Sequence, residues 1–266
     1  AQINARYPFR EVSDAATLIT KLRAKKSPAE LAAIQHATDV SIEAHRAVWK
    51  RIAAGLFEYQ LAATFDDEFL ERGCEGPSYS TIVGSGPNST VLHYSANQRR
   101  MDRGDLVVMD AAAECDSYAS DITRTVPVGG KFTARQKEIY SIVLGAQKAA
   151  IAALKPGARL AGPGDTLTKL AKDYMDAHGK DLHGAGLGKY MLHGIGHQVG
   201  IEVHDPSPDG PLEAGMVVTI EPGIYLDEEH IGVRIEDIVL VTDHGATVLS
   251  SALPKEPEEI ESATSR

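Results

Sequence analysis

Two segments of the chain follow the same pattern, in which a carboxylate stands six residues after a glycine at the end of an apolar run. The first reads GDLVVMD and ends at Asp110, and the second reads GMVVTIE and ends at Glu221. Each is followed by a second acid that opens another apolar stretch, Asp121 in the first case and Glu236 in the second. Short apolar runs bounded by turns predict buried strands. We therefore predict two β-hairpins built alike, each supplying two acids; a chance likeness between two hairpins is the alternative.

The burial of these acids raises an electrostatic problem. An ionised carboxylate at the end of a buried strand is costly unless a cation or several hydrogen-bond donors satisfy it. Four converging acids would repel one another, and a pair of divalent cations would cancel that charge. For any single acid, a strand end that caps a turn or meets water is the simpler interpretation. For all four together that interpretation is much weaker.

Nine of the ten histidines divide into two groups. His193 and His197 stand in a His-Gly-Ile-Gly-His stretch, and His204 follows shortly after. Glycine lets the backbone approach a ligand closely, and neutral imidazole binds metals and shuttles protons. These three residues therefore indicate a functional site rather than core packing. Six other histidines are interpreted as surface or helix residues: His36, His45, His178, His183, His230 and His244.

Helix and strand patterns alternate, which favours a mixed α and β class. Ser27 with Glu30 and Thr133 with Gln136 are typical of capping boxes at helix starts. Predicted helices cover about 27–55, 58–72, 133–156 and 165–177, and predicted strands cover about 80–83, 91–94, 106–112 and 118–128. From 193 to about 249 we expect strands and loops. We expect an irregular lead-in over residues 1–26, one domain over residues 27–266, and a polar, partly ordered tail from 254.

Composition restricts the class of partner. The chain has 266 residues, is 43% hydrophobic and carries a formal net charge of −10. That length and apolar content suffice for one sizeable core. An acidic surface repels phosphate backbones, so nucleic acid is not an expected partner. No run of 18 apolar residues occurs, so we expect no membrane association.

The two cysteines, Cys74 and Cys115, do not form a Cys-x-x-Cys pair. They do not make a disulfide framework, so we predict reduced cysteines and a cytoplasmic location. No signal peptide is visible, although the chain starts without Met and an earlier export signal is an open alternative.

The motifs together resemble a known family. The chain carries, in order, Asp110, Ser-Asp121-Ile-Thr-Arg-Thr, His193-Gly-Ile-Gly-His197, Val-His204-Asp, Glu221-Pro-Gly-Ile-Tyr225 and Gly-Val-Arg234-Ile-Glu236-Asp. This set resembles the Xaa-Pro peptidases, the proline-specific members of the dinuclear metallopeptidases with the pita-bread fold. The resemblance spans about residues 22–259. It implies an α+β fold, with a curved antiparallel sheet flanked by helices and a pseudo-two-fold repeat.

The resemblance also implies the metal ligands. Two divalent ions would be held by Asp110, Asp121, His197, Glu221 and Glu236, with Asp121 and Glu236 bridging them. Ligation rich in oxygen with a single nitrogen suits Mn²⁺, and Co²⁺, Zn²⁺ and Fe²⁺ are competitors.

Further roles follow from the same resemblance. Glu221 would also transfer protons from the attacking water, while His93 and His204 would hydrogen-bond the substrate and the tetrahedral intermediate. The pocket for the proline side of the bond would be lined by His193, Tyr225 and Arg234. A strand histidine with a satisfied hydrogen bond is the alternative for His93, and a simple salt bridge to a neighbouring acid is the alternative for Arg234.

The implied reaction is hydrolysis of the bond before a proline at the second position of short peptides. An aminopeptidase P and a dipeptide-specific prolidase both fit. Methionine aminopeptidases resemble the chain less, creatinase replaces metal ligands, and a binding protein without activity would typically lose ligands. Proline-specific members usually carry a further N-terminal domain, so substrate length and a homo-oligomeric state stay open.

Overall fold

The two longest helices of the described part of the chain begin at the predicted capping boxes. The Ser27 hydroxyl accepts a hydrogen bond from Glu30 N, and the Glu30 carboxylate accepts one from Ser27 N at 2.8 Å. Thr133 and Gln136 exchange the equivalent pair of bonds at 3.2 and 2.9 Å. Both boxes satisfy backbone N–H groups that have no partner inside the helix, and both predicted helix starts are confirmed.

The computed structural model describes Arg6 and residues 14–265. Its α-helices are α1 (Ala16–Ala24), α2 (Pro28–Arg51), α3 (Glu58–Glu71), α4 (Ala134–Ala153), α5 (Leu167–His178) and α6 (Pro257–Thr264). Its strands are β1 (Gly76–Pro77), β2 (Ile82–Ser85), β3 (Leu106–Asp110), β4 (Ala113–Cys115), β5 (Tyr118–Ala119), β6 (Thr123–Pro127), β7 (Val217–Ile220), β8 (Gly223–Leu226), β9 (Ile231–Arg234), β10 (Asp237–Thr242) and β11 (Gly245–Val248).

The strands form small antiparallel sheets rather than one continuous sheet. One sheet has the order β2-β3-β6 and another has the order β11-β10-β7, while β1-β4-β5 and β8-β9 form two further sheets. A backbone bond of 3.0 Å from Glu236 N to Thr123 O joins the first two sheets where their hairpins meet. The mixed class with antiparallel pairing agrees with the sequence prediction.

The predicted likeness of the two hairpins extends to their hydrogen bonds. Gly104 N donates to Val128 O at 3.0 Å, and Gly215 N donates to Val241 O at 2.9 Å. In return, each valine N–H donates to the residue that follows the glycine, at 2.8 Å in both cases. The two glycines have φ values of 94° and 91°, a conformation in which a Cβ is strained. The chain therefore contains two copies of one hairpin, and each copy ends at the central cavity.

Each hairpin is covered by its own pair of helices. Helix α2 packs against α3 and against β4 and β5, whereas α4 packs against α5 and β9. Trp49, Phe65 and Phe69 are fully buried between α2, α3 and the first half, and Tyr140 of α4 is fully buried in the second. The helices thus lie on the outside of the sheets and leave the hairpin ends free for a site.

Three predictions of irregular or strand structure are wrong. Residues 91–94 form a turn after the 3₁₀ segment Gly86–Thr90, and Val91 is half exposed instead of pairing. The tail forms α6, because Ile260 is fully buried and the helix packs against α2. Residues 16–24 of the lead-in form α1, with Ala24 in the core. The prediction for residues 1–5 and 7–13 lies outside the described residues.

The prediction of reduced cysteines is also wrong. Cys74 and Cys115 form a disulfide with their Cα atoms 4.4 Å apart. Gly76 pairs with Glu114 in the antiparallel register of β1 and β4, and this pairing brings the two cysteines together across 41 residues of sequence. No local spacing pattern records such a contact. The expectation of a reducing compartment, which rested on free cysteines, therefore loses its basis.

None of the helices in the described part of the chain combines the length and the apolar character needed to cross a bilayer.

Candidate metal centre

A cavity of about 590 Å³ opens where the two hairpins end. All four predicted acids lie on its wall, together with the four histidines that the sequence singled out and Arg234. The lining residues named by the sequence are His93, Asp110, Asp121, His193, His197, His204, Glu221, Arg234 and Glu236. The predicted site residues therefore converge, with the exception of Tyr225.

The hairpin geometry explains how the acids converge. Asp110 ends β3 opposite Thr123, and Asp121 stands just before β6. In the second hairpin, Glu221 directly follows β7 and Glu236 directly precedes β10. The Thr123 hydroxyl donates to the Glu236 carboxylate at 2.6 Å, which ties the acids of one hairpin to those of the other.

His197 joins the acids from a neighbouring segment. Its Nε2 lies 3.3 Å from Asp121 Oδ2 and 3.4 Å from Glu221 Oε1. Backbone bonds from Thr219 N to His197 O and from Glu221 N to Ile195 O hold this segment beside β7 as a further strand-like partner. The Thr219 hydroxyl also donates to Glu221 Oε1 at 3.1 Å, so the orientation of that carboxylate is fixed.

The electrostatics of these groups fit a cation site. Burial raises the pKa of Glu221 to about 7, against the opposing charge of His197. Burial, together with the charges of Asp121 and Glu221, raises the pKa of Glu236 well above its ordinary value. Burial alone would lower the pKa of His197, but the hydrogen bond to Asp121 and the charges of both acids raise it to about 9. The acids thus repel one another, and one imidazolium does not neutralise them.

The donor set is suitable for a metal. One ligand atom each from Asp121, His197 and Glu236 lies within 4.8 Å of the others. Buried carboxylate oxygens with an imidazole nitrogen are ligands that divalent cations accept, and a cation would remove the repulsion described above. The residues present therefore fit a metal centre at this position.

Asp110 has two protein partners in the same cavity. The Tyr79 hydroxyl donates to Oδ1 at 2.6 Å, and the Arg234 guanidinium contacts Oδ2 at 2.6 Å. The pKa of Tyr79 is raised by burial and by the charge of Asp110. Tyr79 was not predicted as a site residue, because it stands 31 residues before Asp110 in a short turn-rich stretch that carries no recognisable signal.

The predicted substrate residues form a hydrogen-bonded chain. His193 Nε2 lies 2.8 Å from the Tyr225 hydroxyl, which accepts a bond from Arg234 at 2.9 Å. Burial, with the charge of Arg234, lowers the pKa of His193 to about 4, so its imidazole is neutral. Tyr225, predicted to line the pocket, is instead buried behind His193 and Arg234, and its hydroxyl contacts both side chains.

The other two predicted histidines stand at the cavity opening. The His204 ring packs edge-on against the His197 ring, with centroids 4.1 Å apart. Desolvation and the nearby positive charge of His197 lower the pKa of His204. His93 lies in a turn and is exposed, so the strand predicted around it is absent while its place on the cavity wall is observed. Both imidazoles can reach a molecule that occupies the cavity.

Comparison with known families identifies this arrangement. A family model described as metallopeptidase family M24 matches residues 32–243. The chain belongs to this family. Membership in M24 implies divalent metal ions, which agrees with the fit of the acids and His197 to a cation site.

Curated M24 relatives include two proline-specific kinds of enzyme. The chain is 37% identical to the Xaa-Pro aminopeptidase of Haemophilus influenzae, over 95% of this chain and 64% of that protein. It is 38% identical to the Xaa-Pro dipeptidase of Pyrococcus furiosus, over 91% of this chain and 66% of that protein. The chain thus spans less than two thirds of the length of these relatives.

Solved structures in the M24 family confirm the fold. Escherichia coli aminopeptidase P with the inhibitor Pro-Leu superposes with a TM-score of 0.88 at 34% identity, covering 99% of this chain and 65% of that one. Proline aminopeptidase P II from Yersinia pestis gives a TM-score of 0.87 at 32% identity, covering 99% and 66%. The prediction of an α+β pita-bread fold and the resemblance to Xaa-Pro peptidases are confirmed.

Proposed function

We propose that this chain is the catalytic part of a metal-dependent Xaa-Pro aminopeptidase, which releases the N-terminal residue from peptides with proline second. One observation carries the proposal: four carboxylates, His197 and three further histidines converge in one cavity. The family relatives support the same reaction class, since enzymes that cut before proline occur among them.

The metal ligands in this proposal are Asp110, Asp121, His197, Glu221 and Glu236. These residues would hold two divalent ions, with Mn²⁺ as the first choice of metal. When bound, divalent cations lower the pKa of a water molecule and polarise a carbonyl group.

Side chains of the protein transfer protons, hydrogen-bond the substrate and bind the proline ring. The Glu221 carboxylate, held by Thr219, accepts the proton of the attacking water and delivers it to the departing proline nitrogen. His204 and His93 hydrogen-bond the substrate carbonyl and the tetrahedral intermediate from the cavity opening. His193 and Arg234, fixed by Tyr225, form the wall that receives the proline ring.

The second candidate is an Xaa-Pro dipeptidase, because a dipeptidase from Pyrococcus furiosus is as similar as the aminopeptidases. The two activities differ in substrate length and leave the same ligands in place. A binding protein without activity is disfavoured, because all the proposed ligands are present in this chain.

Peptide hydrolysis by the Mn²⁺-loaded protein tests the proposal. We expect cleavage of Xaa-Pro-Yaa tripeptides, loss of cleavage after chelation, and no cleavage of Xaa-Ala-Yaa peptides as a matched control. Cleavage of Xaa-Pro dipeptides alone would select the dipeptidase. Failure to cleave either kind of peptide with metal bound would contradict the proposal, and failure to bind metal would contradict the proposed ligand set.

A further inference from the structure

A buried cluster of charges lies outside the metal centre, between the lead-in and the loop that carries His204. Arg23 contacts Asp205 Oδ1 at 2.5 Å, and Lys26 Nζ contacts Asp205 Oδ2 at 3.2 Å. The side chains of Lys26 and Asp205 are each 1% exposed. Arg23 also reaches Glu202 of the same loop at 3.3 Å.

Such a cluster is expensive to build. Removing charges from water costs several kcal/mol per ion, and a buried pair is weak evidence for added stability. Burial lowers the pKa of Lys26 while Asp205 opposes that shift. A role in holding one geometry explains the buried charges better than a gain in stability does, because Arg23 and Lys26 each engage a different carboxylate oxygen of Asp205.

The contacts of Asp205 control the shape of its loop. Asp205 N donates to Gln198 O at 3.0 Å, which closes the loop over residues 198–205. Glu202 N donates to the Asp205 carboxylate at 3.4 Å. The carboxylate also fills the space where a Cβ on Gly200 would stand, 2.6 Å from Oδ2. The Asp205 side chain is therefore the centre around which the loop is arranged.

His204 depends on this arrangement for its position. It is the neighbour of Asp205, and its ring packs against His197 on the cavity side. A side chain on a surface loop is placed accurately only when its backbone is anchored. The lead-in supplies that anchor, and Lys26 N also donates to Gly215 O at 2.9 Å, at the start of the second hairpin.

We propose that Arg23 and Lys26 are positioning residues, which act through Asp205 to hold His204 against the substrate. The lead-in is then a working part of the catalytic unit rather than a spacer. The catalytic consequence rests on the proposed peptidase function, whereas the anchoring of the loop does not.

Hydrogen exchange tests the anchoring without any activity. In Lys26→Met, which keeps the aliphatic stem, we expect amide exchange over residues 199–204 to rise on the order of tenfold. Lys25→Met is the matched control, because Lys25 makes an exposed ion pair with Glu213 and should leave exchange unchanged. Arg23→Met provides a second variant if Lys26→Met does not fold.

Kinetics of the Mn²⁺-loaded variants test the consequence. We expect Lys26→Met to lower kcat on the order of tenfold with KM within about twofold, since small misplacements of a catalytic group are costly. In a His204→Ala background the same substitution should cause no further loss of kcat. Losses that multiply in the double variant would overturn the positioning role, and wild-type exchange in both Lys26→Met and Arg23→Met would overturn the anchor. A wild-type protein that cleaves no peptide contradicts only the proposed function.

Discussion

Each of the two main hairpins contains a smaller hairpin between its strands, and these two inserts do different things. The first insert, β4–β5, lies between Asp110 and Asp121 and turns outward to pair with β1 and pack on α2. The second, β8–β9, lies between Glu221 and Glu236 and packs against β3 and the 3₁₀ segment Gly86–Thr90. The repeated main hairpin therefore supplies two acids in each half, whereas the inserts between its strands differ.

The residues of each insert agree with what that insert contacts. The first contains Cys115, whose disulfide to Cys74 fastens the insert to the end of α3. The second contains Tyr225 and Arg234, which reach His193 and Asp110 in the cavity. The first insert therefore stabilises its half of the molecule, whereas the second insert carries Arg234, which we propose contacts the substrate. The predictions below test that division.

Asp121→Asn should cause the largest effect, because Asp121 is one of the acids of the repeated main hairpin and does not lie on an insert. Asp121 Oδ2 lies 3.3 Å from His197 Nε2, and Asp121 is one of three candidate ligands whose atoms lie within 4.8 Å of one another. We expect kcat to fall on the order of 10³-fold or more and metal content to drop below that of the wild type. Asp116→Asn, at the exposed tip of the first insert, is the control. Full activity in Asp121→Asn would show that the residue is not a ligand.

The double variant Cys74→Ala/Cys115→Ala tests whether the first insert is structural. A disulfide that closes 41 residues constrains the unfolded chain, so its loss should lower the unfolding free energy by about 4 kcal/mol. We expect kcat of the folded variant to stay within about twofold of the wild type. Urea unfolding and peptide kinetics measure the two quantities, and a large loss of kcat at unchanged stability would break the comparison.

Arg234→Met tests whether the second insert contributes to function rather than to stability. It removes the partner of both Asp110 and Tyr225, so kcat/KM should fall on the order of 10²-fold. Arg46→Met, at an exposed arginine of α2, should leave kcat/KM unchanged. If Arg234→Met and Arg46→Met had the same kcat/KM, the second insert would have no role in function.

The smallest effect concerns how each half supports the backbone beside its acids. Gln147 of α4 donates to Ile220 O next to Glu221, and His45 of α2 contacts Ala111 O next to Asp110. Burial lowers the pKa of His45 to about 3. The first half therefore uses a group that titrates where the second half uses an amide.

This difference predicts a dependence of stability on pH. Above pH 6.5 His45 is neutral in both states; below it the unfolded state takes up a proton that the folded state refuses until about pH 3. The contribution of His45 should therefore destabilise the fold by about 1.4 kcal/mol between pH 7.5 and 5.5. His45→Gln places an amide at this position, as in the second half. Its unfolding free energy, measured by urea unfolding, should therefore fall less between pH 7.5 and 5.5 than that of the wild type. An equal fall in both proteins would contradict the prediction.

The sequence by itself determined the features that depend on a few neighbouring residues. Ser27 and Thr133 specified helix starts, because a cap needs only the residues of one turn. Asp110 and Glu221 specified two like hairpins, because a glycine, an apolar run and an acid occupy seven consecutive positions. The family followed from motifs of the same local kind. The coarse fold class and the membership of the cavity wall were therefore predictable.

Only the tertiary structure decided the features that join distant segments. The Cys74–Cys115 disulfide, the bond from Tyr79 to Asp110 and the anchoring of Asp205 by Lys26 connect residues 41, 31 and 179 positions apart. Each depends on sheet register and helix packing, which bring together groups that share no local pattern. Burial likewise decided the place of Tyr225, because the sequence does not distinguish a residue that packs behind a pocket from one that lines it.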